Sequence, residues 1–118
     1  MADLDIAQSP SSAISNLVVR TVSGYTGRGP TRARTFILDD VITVVLEDNL
    51  TKAEQHLVQA GLDEQIEALR LSFKRTIKDE LIAGVQEIMG REVRAYLTAN
   101  HLRPDIAVET FILKAVEG

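Results

Sequence analysis

The sequence predicts an α+β fold: a single domain in which an antiparallel four-stranded sheet packs on one long helix. Three observations carry that expectation. Two strand-like runs, Arg32 to Leu38 and Val41 to Glu47, flank the tight-turn pair Asp39-Asp40. From Leu62 to Ile88 apolar residues step by threes and fours, the spacing of one helix face. Two further strand-like runs follow, so the order α-β-β-α-α-β-β gives hairpins in place of the strand-helix alternation of a parallel sheet.

Residues 1–8 are expected to form a flexible N-terminus, with the α+β domain spanning 9–118. Ser9 before Pro10 reads as an N-cap and first-turn proline, and Ile14, Leu17 and Val18 recur at helical spacing. A first helix from Pro10 to about Ser23 is expected, with Gly24 as its left-handed stop. The next stretch, GYTGRGPTRARTFILDD, is a glycine-rich turn with three arginines that runs into a hydrophobic strand. Its glycines free the backbone to take positive φ, and Pro30 directs the exit toward an extended segment. In the hairpin that follows, apolar residues fall on both faces. That pattern implies helices on one side and a second subunit on the other.

Thr51-Lys52-Ala53-Glu54 is a capping box, so a short helix from Lys52 to about Gln59 is expected, closed by Gly61. Leu62, Ile66, Leu69, Phe73, Ile77, Leu81, Val85 and Ile88 form the stripe of a long helix ending at Gly90. At 1.5 Å per residue it spans roughly 40 Å, so it is expected to overhang its sheet or to break near Thr76. Val93 to Asn100 and Ile106 to Val116 are the last two strands, joined by a proline turn from His101 to Asp105.

Composition narrows the function classes. The chain has 118 residues, 45% apolar and 25% charged, as expected of a globular protein. With no cysteine and two histidines, the sequence calls for no disulfide, metal or cofactor, and a reducing cytoplasm is the expected compartment. The start lacks the pattern of a secretion signal, and the longest span candidate, Val41 to Leu46, has six residues. Direct membrane insertion is therefore not expected. No nucleophile motif, P-loop or dinucleotide fingerprint is visible, so the chain is expected not to be an enzyme. Asp39-Asp40 reads as a turn, because adjacent carboxylates there would point apart.

Net charge is −4, but it is unevenly spread. Ile6 to Leu38 holds four arginines and no acid, while 39–118 holds nine bases and fifteen acids. A local positive field attracts anions even on an acidic protein. Gly27, Arg28, Gly29, Pro30, Arg32 and Arg34 are therefore the candidate anion- or partner-binding residues, with amides and guanidinium groups as donors. Gly24-Tyr25-Thr26-Gly27 also spells the G-x-x-G with which KH modules clamp a phosphate backbone. The alternative reading is accordingly a KH-like or other anion- or nucleic-acid-binding regulatory module, though aromatic residues for base stacking amount to only 4%.

The succession YTGRGP, FILDD, VITVVLE, LTKAEQHL and IKDELIAGVQEIMGREV resembles a small bacterial family, formerly of unknown function. That family is named for the soluble third (C) component of a sodium-translocating, membrane-potential-generating system. Gly27-Arg28-Gly29-Pro30 matches its G-K/R-G-P turn, Asp39-Asp40 its D-D turn, Leu50 to Glu54 its L-T-x-x-E helix start, and Gly90 the close of its long helix. Where members often place glycine before L-T-x-x-E, this chain has Asp48-Asn49, which takes such a turn at some steric cost. The resemblance implies a non-enzymatic cytosolic accessory protein, expected as a homodimer, with a membrane-protein or regulatory-protein partner.

Overall fold

The computed structural model describes residues 8–116, so the expectation for 1–8 lies outside them except at Gln8. Helix α1 runs from Pro10 to Thr26, opened by the Ser12 amide donating to the Ser9 hydroxyl. It passes the expected stop at Gly24 and ends at Gly27, whose left-handed φ of 78° lets its amide reach the Ser23 carbonyl. Past Gly24 the last turn is held by Tyr25, which donates to Glu80 at 3.0 Å and meets the Phe73 ring edge-on, and by the Thr26 hydroxyl, which donates to the Val22 carbonyl.

Strands β1 (Arg32–Leu38) and β2 (Val41–Glu47) form the expected hairpin, with Arg32 opposite Glu47 and Leu38 opposite Val41. Asp39 makes the turn at a φ of 53°, a region that aspartate tolerates. After a second left-handed aspartate, Asp48 at 57°, helix α2 (Lys52–Gln59) starts on a complete capping box. The Thr51 amide donates to Glu54 Oε1 at 2.8 Å, and the Glu54 amide to Thr51 Oγ1 at 3.1 Å.

Helix α3 runs unbroken from Asp63 to Met89, without the break anticipated near Thr76. Its first turns carry their own small core, in which Leu50, Val58 and Leu102 cover Ile66. Strand β3 (Val93–His101) and strand β4 (Ile106–Leu113) complete the sheet in the order β1-β2-β4-β3, every pair antiparallel. β4 stops three residues short of the expected Val116, because β2 starts at Val41, opposite Ile112, and β3 starts at Val93, opposite Leu113. Past Leu113 no strand remains to pair.

α1 and α3 lie on one face of the sheet. Between them and the strands sit Ile14, Val18 and Val22, then Ile77, Leu81 and Val85, over Ile42, Val44, Leu46, Phe111 and Leu113. The third dimension of the molecule is 22 Å, the thickness of one helix layer on one sheet at about 10 Å each. The architecture is therefore a two-layer α+β domain with one sheet face uncovered.

The expected stripe on α3 holds only in part. Ile66, Ile77, Leu81 and Val85 are buried, but Leu69 is 55% exposed, and Arg70 and Lys74 point inward at 2% and 0%. In the first half the buried face shifts toward Arg70 and Lys74, whose acids stand on α2 and β4.

Candidate functional site

The glycine-arginine turn splits its arginines between two places. Arg28 is half-buried, not exposed, and faces the β2–α2 turn: one guanidinium nitrogen meets the Asp48 carboxylate at 3.0 Å, and another donates to the Asp48 carbonyl at 3.0 Å and to that of Leu50. Gly27 caps α1. Gly29 runs so close to it that a Cβ would lie 2.2 Å from Ser23 Oγ, and Pro30 leads into β1. Arg32 and Arg34, two residues apart on a strand, share the uncovered face of the sheet. Arg34 pairs with Glu47 at 3.2 Å and lies over the Phe36 ring at 5.7 Å. Gly24, Tyr25 and Thr26 are the last turn of α1, so the G-x-x-G motif forms no open loop of the KH kind.

The uncovered face follows from strand alternation. β4 buries Ala107, Glu109, Phe111 and Leu113 under the helices and turns Val108, Thr110 and Ile112 the other way. Across the register Val45 stands beside Val108, Thr43 beside Thr110, and Leu97 on the far side of Thr110. Phe36 and Leu38 extend this surface on β1, at 53% and 74% exposure. Among the described residues nothing covers it. The face is thus largely apolar, with the Thr43–Thr110 hydroxyl pair near its middle and Arg32 and Arg34 at one end.

Beneath α3 lies a chain of buried charge. Arg70 makes a two-pronged bond to Glu54, its Nε donating to Oε2 at 2.7 Å, and also donates to the Asn49 carbonyl at 2.9 Å. Burial alone would raise the Glu54 carboxyl, but the Arg70 guanidinium and the Thr51 amide outweigh it and hold it below the usual carboxylate range. One turn on, the fully buried Lys74 ammonium bonds the fully buried Glu109 carboxylate, which also accepts from the Tyr96 hydroxyl. Burial, together with the charge of Glu109, pushes the Tyr96 hydroxyl well above its ordinary range.

This chain of charge borders two hollows: Glu54 and Arg70 line one of about 320 Å³ with Leu57, Leu69 and Phe73, and Lys74 borders the other. Lys74, Arg75, Lys78 and Leu71 of α3, with Tyr96 and Thr98 of β3, line a cleft of about 330 Å³. No acid lines it. The sequence reading missed this site because Lys74 stands in a helix rich in charge, and only its partner reveals it as buried. The available signals were Glu109 at an inward position of an alternating strand, and the stretch 68–78, which has four bases and no acid.

Fold and surface together define the class: a small two-layer α+β protein with an uncovered apolar sheet face and an internal chain of ion pairs. No helix among the described residues is long and apolar enough to cross a membrane. The chain belongs to the family described as Na+-translocating membrane potential-generating system (MpsC), whose model matches residues 8–115. Neither a curated protein nor a solved structure matches it.

Proposed function

We propose that this chain is a non-enzymatic, cytosolic accessory protein of the Na+-translocating membrane potential-generating system, acting as a homodimer closed over its uncovered sheet face. Family membership supports the cellular context. The single observation that carries the mode of action is the bare apolar sheet. Arg34 is engaged by Glu47 at one corner and Lys74 by Glu109 beneath, and Arg32 stands at the rim, so the middle of the face offers shape and apolar area.

Four strands about 4.8 Å apart and seven residues long present roughly 450 Å² per copy in projection, or roughly 900 Å² for a stacked pair. Side-chain relief raises that toward the 1,000 Å² or so of a specific interface. Two such sheets pack at about −30°, as in a sandwich. The stacked faces leave the glycine-arginine turn and Arg32 at the rim, free for a membrane-protein partner.

Two measurements test this reading. Sedimentation should give a dimer for the unaltered protein and a folded monomer for Phe36→Asp with Val108→Asp, since both side chains lie on the bare face. Affinity capture from native membranes should recover an integral membrane protein of the sodium-translocating system. A protein monomeric at all concentrations would sink the dimer, and capture of no integral membrane protein would sink the accessory role.

A further inference from the structure

The geometry points to a second, separate docking site: the cleft between α3 and the free edge of β3 binds an extended acidic segment of a partner protein, added to the sheet as a fifth strand. β3 is an edge strand, paired with β4 alone. Every second residue of such a strand turns its N–H and C=O outward, which is a template for another strand. A register shift between Val93 and Ala95 disturbs its start, but from Tyr96 to His101 the ladder is regular. The accessible edge is thus about six residues long.

What selects the partner is the wall of the cleft. Arg75 and Lys78 are exposed at the rim, with Lys74 behind them, and among the described residues neither Arg75 nor Lys78 has an acid within salt-bridge distance. Thr98 Oγ1 is buried in the same wall without a hydrogen-bond partner. Two cations without an acid partner among the described residues, beside an open strand edge, suit carboxylates on alternate residues of an incoming strand.

The other edge, β1, lacks this chemistry. Its flanking hollow is lined by Ser11, Ser15 and Asn16 from α1, and the Ser15 and Thr35 hydroxyls already bond each other at 2.6 Å. A second copy of this chain is the wrong occupant for β3. Pairing β3 with β3 around a two-fold axis would bring together the exposed Arg75 and Lys78 of both copies, and like charges in register oppose association. Leu97 borders both the cleft and the bare face, but the face-to-face dimer leaves the backbone edge of both β3 strands free, so each site can be tested without the other.

The test uses the full chain and a fluorescent ten-residue peptide alternating Glu with Thr, followed by anisotropy at low ionic strength. Binding is expected, weakened by 0.5 M salt as order-of-magnitude screening demands (a Debye length of about 4 Å). Arg75→Ala with Lys78→Ala should weaken it by about tenfold or more, the two side chains being exposed and unpaired, so that circular dichroism stays unchanged. A peptide N-methylated at every backbone amide should fail to bind, because it cannot donate to the edge in either register. Three outcomes overturn the inference: no binding by the unaltered protein, equal binding of a Lys-Thr peptide, or full binding of the N-methylated peptide. The last would leave a simple anion site in place of strand addition.

Discussion

From Asp63 to Arg75 the long helix turns Ile66, Arg70 and Lys74 inward, whereas from Thr76 to Met89 it turns Ile77, Leu81 and Val85 inward, at the same helical spacing. The second half meets α1 and the apolar centre of the sheet. The first half meets the Glu54 and Glu109 carboxylates. Both halves are fully packed, but they respond differently to loss. An apolar contact that is cut leaves a cavity, while an ion pair that is cut leaves a charge in a medium that cannot solvate it.

The largest expected effect breaks that comparison at Lys74. Lys74→Met leaves Glu109 buried with only the Tyr96 hydroxyl, and the variant should lose about 3–5 kcal/mol by urea unfolding. Adding Glu109→Leu should restore most of the loss, because an apolar pair of similar volume replaces the charges. Leu81→Ala in the second half should cost about 2–5 kcal/mol with no second change able to restore it so simply. If Lys74→Met and the double variant are equally unstable, the pair is not what the first half depends on.

A smaller effect appears with acid. The Glu54 carboxyl is held below its ordinary value of 4.5 in the folded chain, so the unfolded chain takes up its proton first. Its contribution is present above about pH 4.5 and is lost as pH falls through that value toward the lower folded one. Glu54→Gln keeps the capping box, since glutamine serves there as well, but has nothing to titrate. Between pH 7 and 3 the variant should therefore lose less stability than the unaltered protein. Parallel curves would show that Arg70 and Glu54 contribute nothing net.

This contrast also explains what was legible in the sequence. The β1–β2 hairpin and α2 were readable to the residue, because Asp39-Asp40 and the Thr51–Glu54 capping box are local signals whose partners lie within four residues. The second half of α3 was legible because its buried positions are apolar. Arg70 and Lys74 were not, since their acids lie 16 and 35 residues away and only the fold brings them together. The inward pairing of Arg28 was not legible for the same reason, its partners being 20 and 22 residues on. The bare sheet face was half legible: the hairpin's two-sided apolar pattern called for a cover, but the strand order and the free edge of β3 do not follow from any local pattern.

The smallest expected change sharpens the comparison from the apolar side. Gly84 sits in the second half of α3 where α1 crosses it, and a Cβ there would lie 2.6 Å from both Leu17 methyl carbons. Those are the far end of a flexible, half-buried side chain, so Leu17 can rotate at a cost of about 0.5–1.5 kcal/mol. Alanine gains about 1 kcal/mol over glycine in a helix interior. The two nearly cancel, and Gly84→Ala should shift the urea midpoint by no more than about 1 kcal/mol equivalent in either direction. Gly84→Val removes the gain and adds bulk, so it should lose about 1–3 kcal/mol. A large loss with alanine alone would mean that the α1–α3 contact is as intolerant as the ion pairs, and that the two halves of the helix differ in chemistry but not in their capacity to adjust.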